Sequence, residues 1–173
     1  MHKLLPFISL LALSLTAATP DVKDKAPDFT LNNLQGKPVR LSEETAKGTV
    51  VLIVLRGYPG YQCPLCNRQV QEFIKSGPAF AETGAHLLFV YPGPADKAED
   101  FLKDKMLPAH FTLVLDPDYA FTNLYSPRWD APTETAYPST FIINKSGVVT
   151  FAKVSHAHGG RTTPAEILAH LKQ

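Results

Sequence analysis

One stretch of the chain is β-branched or apolar on every position: Thr49 to Leu55. Strict alternation would mean a strand with one wet face; a continuous apolar run of this length predicts a strand buried on both faces, the centre of a sheet. Before it, Phe29 to Leu31 and Val39 to Leu41 flank the polar turn Asn32 to Lys37 with Gly36, the pattern of a β-hairpin. After it, Cys63 to Ile74 places Leu65, Val70, Phe73 and Ile74 at helical spacing. Asn67, Arg68, Gln71 and Glu72 lie on the opposite face, and Ser76-Gly77-Pro78 reads as the stop. Strand His86 to Tyr91, helix Pro94 to Lys105, strand Phe111 to Leu115 and a short helix near Tyr119 to Leu124 follow. The chain closes with strands Ser139 to Asn144 and Val148 to Val154 around the turn Lys145-Ser146-Gly147, then helix Pro164 to Leu171 opened by Thr162 or Thr163. Alternating strands and helices followed by an antiparallel pair predict an α/β fold: a central mixed sheet with helices on both faces and an N-terminal hairpin extension.

The first residues do not belong to that pattern. His2 and Lys3, an apolar run from Leu4 to Leu15 and the small residues Thr16, Ala17 and Ala18 have the order of a secretory signal. The run is interrupted by Pro6, Ser9 and Ser14 and is short for a membrane-spanning helix. We therefore expect a signal peptide over 1–18, a polar linker over 19–26 and one domain over 27–173, exported to the periplasm or secreted, with no stable membrane association after cleavage. Charge alters the picture little. Seventeen Lys and Arg against sixteen Asp and Glu leave +1, and removal of Lys3 brings this to zero, so there is no electrostatic case for nucleic acid.

Candidate chemistry enters with the two cysteines, Cys63 and Cys66. A pair so close in sequence closes too small a loop to staple a domain that has its own core; such pairs are more often catalytic or metal-binding. Cys63 stands where a helix begins, after a loop containing Gly57, Pro59 and Gly60. Free N–H groups and the positive end of the helix dipole there lower a thiol's pKa. Pro64 suits the first helical turn, where its missing N–H costs nothing, and it stiffens the link between the sulfurs. Residues three apart at a helix start lie within disulfide range, so the pair can open and close. A structural disulfide, inert core thiols or half of a zinc site are the alternatives. His156 and His158 are the residues that could complete a metal site.

With the central strand, the dithiol just beyond it and the strand entry Tyr137-Pro138-Ser139-Thr140-Phe141 in place, the chain resembles the alkyl hydroperoxide reductase/thiol-specific antioxidant (AhpC/TSA, redoxin) family of the thioredoxin-like superfamily. The likeness is carried by Ala26-Pro27-Asp28-Phe29-Thr30-Leu31, Gly36-Lys37-Pro38-Val39, Val51 to Leu55, Arg56-Gly57, Cys63-Pro64-Leu65-Cys66, and Pro138 to Asn144 with Gly147. It implies a thioredoxin-like fold and a thiol-based antioxidant oxidoreductase without a cofactor, acting on a peroxide or a protein disulfide and recharged by a thiol electron donor. Peroxiredoxins of this family carry a proline, a hydroxyl residue four positions on and the attacking cysteine three after that. Pro59, Cys63 and Cys66 occupy those places, so that register makes Cys66 the attacker and Cys63 the resolving thiol. Thioredoxin-like disulfide reductases reverse the roles, with an exposed Cys63 attacking first. Pro138 falls where the thioredoxin fold keeps a cis-proline facing the dithiol and where peroxiredoxins keep an arginine. Arg56 or Arg68 are then the candidates for the missing positive charge. Copper-delivering proteins of the same fold use two cysteines and a histidine, which makes metal delivery a third expectation.

Overall fold

The computed structural model describes residues 18–173. The expected signal peptide lies outside the described residues except for Ala18. The elements are β1 (Thr30–Asn32), β2 (Pro38–Arg40), α1 (Leu41–Lys47), β3 (Val50–Val54), α2 (Pro64–Lys75), α3 (Gly77–Thr83), β4 (His86–Tyr91), α4 (Ala95–Leu102), β5 (Phe111–Leu115), α5 (Ala120–Leu124), β6 (Ser139–Ile143), β7 (Val149–Val154) and α6 (Pro164–Leu171). The sheet order is β5-β4-β3-β6-β7, so the apolar run occupies the centre, and every residue of β3 is fully buried. β3 is parallel to β4 and antiparallel to β6, β4 is parallel to β5, and β6 and β7 form the C-terminal hairpin. β1 and β2 form the expected separate N-terminal hairpin.

Because successive side chains of a strand point to opposite faces, β3 serves two cores at once. Val51 and Ile53 pack with Val70 and Phe73 of α2, Phe80 of α3, Phe101 of α4 and Ile167 of α6. Val50, Leu52 and Val54 pack on the other face with Phe29, Leu41 of α1, and Phe121 and Tyr125 around α5. Rings fill both sides. Phe73 and Phe80 stack at 5.5 Å on the first, Phe121 and Tyr125 at 4.5 Å on the second. This is the thioredoxin-like arrangement: a mixed sheet covered on both faces.

Three places differ from the sequence reading. Residues from Leu41 onward form α1, because Asp28 accepts from both the N–H and the hydroxyl of Ser42 at the helix start (2.9 and 3.0 Å) while Leu41 and Thr45, one turn apart, are buried. Gly77-Pro78 opens a helix as well as ending one: Pro78 sits in the first turn of α3, and the Phe73–Phe80 stack holds the two helices together. The 19–26 segment is not a free linker. Lys23 N–H donates to Val149 O, Val149 N–H to Asp24 O, and Ala26 N–H to Gly147 O, each at 2.9 Å, so residues 23–26 lie along the C-terminal hairpin. Among the described residues no helix is long and apolar enough to cross a membrane.

Candidate active site

Sheet register assembles the site. Val54 at the end of β3 pairs with Ser139 at the start of β6, and Ser139 pairs with Val154 at the end of β7. The segments after β3, before β6 and after β7 therefore emerge together at one edge of the sheet. They carry Arg56 to Cys66, Thr133 to Pro138, and Ser155 to Thr163.

The first segment leaves β3 through Gly57, whose φ is +66°. A Cβ there would lie 2.0 Å from the carbonyl oxygen of Pro92 at the end of β4, so only glycine lets the chain turn toward the dithiol here. Cys63 is the N-cap of α2, Pro64 follows in the first turn, and Cys63 Sγ accepts the backbone N–H of Cys66 at 3.3 Å. Cys63 is 2% exposed and Cys66 is fully buried. The exposed leading thiol of the reductase expectation is thus absent; the side chains on the surface between the two cysteines are Pro64 and Leu65, the latter 42% exposed.

The two thiols are in opposite electrostatic situations. A hydrogen bond from the Cys66 thiol, the Cys66 backbone N–H, and the charges of Arg161 and Arg56 together outweigh burial and pull the Cys63 pKa down to about 6. Burial first, and then the neighbouring Cys63 sulfur, push the Cys66 thiol up. The surroundings thus favour the thiolate on Cys63 and the neutral thiol on Cys66.

Arg161, in the third segment, was not singled out by the sequence. Its Nη2 lies 3.5 Å from Cys66 Sγ and 3.8 Å from Cys63 Sγ. Its Nη1 donates to Gln69 Oε1 (2.8 Å) and its Nε to the carbonyl of His158 (3.2 Å). Gln69, itself buried on α2, also donates to Thr162 O, and the Thr162 and Thr140 hydroxyls meet at 2.7 Å. Pro138 is buried and lines a small cleft with Gln69, Thr140 and Arg161. Among the described residues no peptide bond is cis, so the residue 138 peptide is trans, unlike the thioredoxin expectation.

The two arginines expected to supply charge divide differently. Arg68 is exposed and paired with Glu72 along α2 (3.0 Å). Arg56 is buried and turned to the second segment: its Nε and Nη2 bind Glu134 (2.5 and 3.0 Å), Nη2 also reaches Thr133 O, and Nη1 donates to Tyr61. Arg56 therefore clamps the loop before β6 and acts on Cys63 only through its field. Glu134 takes a second partner, His158 Nε2 at 2.9 Å, which ties the turn carrying Arg161 to the same loop. Pro59 lies half-buried in the loop leading to the dithiol. His156 and His158 are exposed, and among the described residues no cluster of three or more His, Cys, Asp or Glu is placed to hold a metal.

A thioredoxin-like fold with an N-capping thiolate, a buried partner thiol and a guanidinium between them defines a dithiol protein of redox type. The chain belongs to the AhpC/TSA family, whose model matches residues 22–152. It is 31% identical over 127 residues to a chloroplastic peroxiredoxin Q of Sedum lineare, covering 71% of this chain and 63% of that protein, a little under two thirds of its length. It is also 29% identical over 152 residues to the thiol-disulfide oxidoreductase ResA of Geobacillus thermodenitrificans, covering 87% and 76%. Among solved structures, the peroxidoxin BcpB of Mycobacterium tuberculosis superposes with a TM-score of 0.74 at 23% identity, over 88% of this chain and 97% of that one.

Proposed function

We propose that this protein is a thiol-dependent peroxidase acting outside the cytoplasm, in which Cys63 attacks the peroxide and Cys66 closes the disulfide. The observation that carries this reading is the Arg161 guanidinium set against both sulfurs of a dithiol with almost no exposed surface. Such a site favours a small polar oxidant over a bulky one, and a fixed cation beside the sulfurs suits the negative charge that develops as an O–O bond breaks. The Cys63 thiolate attacks the outer peroxide oxygen; the O–O bond breaks, Cys63 becomes a sulfenic acid, and the alkoxide or hydroxide leaves and takes a proton from solvent. Cys66 sulfur then bonds to Cys63 sulfur and water departs. An external thiol donor returns the two electrons. This order departs from the peroxiredoxin register and follows the acidity of the two thiols. The export half of the proposal rests on the composition of residues 1–18, and N-terminal sequencing of secreted material, expected to begin after Ala18, tests it.

The same acidic leading thiol supports a second reading, a disulfide reductase, because ResA-type relatives match a long part of the chain. Stopped-flow mixing of the reduced protein with hydrogen peroxide separates the two. For the peroxidase, Cys66→Ser still consumes one equivalent of peroxide and Cys63→Ser consumes none. The reverse result would restore Cys66 as attacker. Oxidation no faster than that of a free thiol, with a mixed disulfide trapped on Cys63 of the Cys66→Ser variant by a protein disulfide, would establish the reductase.

A further inference from the structure

We propose that Arg161 is a catalytic residue of the second half-reaction: it is the group that turns Cys66 into a nucleophile once Cys63 has been consumed. The proposal rests on the reading that Cys63 reacts first. Cys66 starts as a fully buried thiol, and a thiol must lose its proton before it can attack. A side-chain base would be the ordinary solution, yet none of the principal influences on Cys66 is a carboxylate or a histidine. The titratable and charged groups that face it are Cys63 from the segment after β3, Tyr91 from β4, and Arg161 from the segment after β7; Arg56 contributes a hydrogen bond from its backbone, not its side-chain charge. Tyr91 is held protonated by burial and cannot serve as a base. Glu134, the acid bound to Arg56, is already engaged by Arg56 and His158.

What changes between the two half-reactions is Cys63. While it is a thiolate it holds Arg161 as a shared counter-ion and opposes ionisation of Cys66. Once its sulfur is bonded to oxygen or to another sulfur the negative charge is gone, and the whole field of Arg161 falls on Cys66. No movement is required. Nη2 is already the shorter distance from Cys66, and Gln69 and the His158 carbonyl hold the guanidinium in place. The Cys66 proton then passes to solvent, and the thiolate attacks Cys63 sulfur and expels its partner.

A small neutral disulfide tests this without peroxide, so its outcome is independent of whether the protein is a peroxidase. Dithiodipyridine reacts with the Cys63 thiolate to form a mixed disulfide and release one thiopyridone; attack by Cys66 releases the second and leaves the Cys63–Cys66 disulfide. Both releases are followed by absorbance as a function of pH. In Arg161→Met the midpoint of the second release should rise by about one pH unit or more. One unit costs tenfold in thiolate and returns about threefold in nucleophilicity, so at pH 7 the second release should slow about threefold per unit. Arg161→Lys and Gln69→Leu, which keep a charge but alter its placement, should move the midpoint in the same direction by less, and they carry the test if the methionine variant does not fold. A second-release midpoint that stays where it is in the variants, whether the rate is unchanged or falls together with the first release, would overturn the proposal.

Discussion

Two helices begin at the same edge of the sheet, and each receives a buried acidic group at its start. Asp116, following β5, is fully buried; its Oδ1 accepts the N–H of Phe121 at 2.9 Å and its Oδ2 that of Thr122 at 3.0 Å, in the first turn of α5. Cys63 at the start of α2 receives one N–H at 3.3 Å and an arginine at 3.8 Å. The device is the same: N–H groups that would otherwise be orphaned at a helix terminus meet a negative group. The results are opposite. Burial raises the pKa of Asp116 despite its short bonds, whereas the Cys66 thiol and the neighbouring cations lower that of Cys63. The Asp116 carboxylate is sealed by backbone donors at good distance, and both bonds it accepts are local. Cys63 is held by longer contacts, one from the local Cys66 N–H and one from Arg161, 98 residues along the chain. A helix start becomes a reactive site when its anion is left only partly satisfied by backbone and is completed by a side chain that can also act on a substrate.

The largest effect that sharpens this contrast is on stability alone. Asp116→Ala leaves two buried N–H groups without acceptors and should cost about 3 kcal/mol. The urea midpoint should fall accordingly while the Cys63 thiolate absorbance still titrates near its wild-type midpoint. A displaced thiol midpoint in this variant would mean that the two helix starts are coupled and the comparison fails.

The next effect is the sign of the pH dependence. A group whose pKa is lowered by folding stabilises the fold at high pH, and this contribution is lost as pH falls through the folded value. For Cys63 the ordinary value is 9.0 and the folded one about 6. The stability advantage of reduced wild-type protein over Cys63→Ser should therefore be full above pH 9 and disappear below pH 6. Asp116 runs the other way: its raised pKa contributes stability at acid pH that is lost as pH rises through the folded value. Urea unfolding of both proteins under reducing conditions between pH 5 and 9 measures the difference, and a gap independent of pH would remove the electrostatic account of Cys63.

The same contrast explains what could be read from the sequence. The central strand, the dithiol at a helix start and the hairpins are local signals: a continuous apolar run, a CPLC placed after a glycine-rich loop, turn residues between apolar stretches. α1 escaped because its buried face is only Leu41 and Thr45 and its cap, Asp28, lies well upstream. Arg161 escaped for a stronger reason. Nothing around Gly159-Gly160-Arg161 marks it, and the more conspicuous His156 and His158 drew attention instead. The available signal was topological. Once β6 is antiparallel to β3 and β7 to β6, residues following β7 must return to the edge where the dithiol stands, so the topology alone makes a cation in that segment a candidate. Arg56 and Arg68 are equally plausible nearby charges in the sequence; the bond of Arg56 to Glu134 depends on a loop 78 residues away and no local pattern encodes it.

The smallest expected effect separates the position of Arg161 from the helix that follows it. Thr163 is the N-cap of α6, and its hydroxyl accepts the N–H of Glu166 at 3.2 Å, a neutral version of what Asp116 and Cys63 do with charge. Thr163→Ala should lower stability by about 1 kcal/mol. Arg161 is only two residues away, but its guanidinium is held by Gln69 and the His158 carbonyl, upstream of the cap. Loosening the first turn of α6 should thus leave the Cys63 titration and the second dithiodipyridine release unchanged. If both move with the loss of this hydroxyl, the position of the guanidinium depends on α6, and the three helix starts act as one unit.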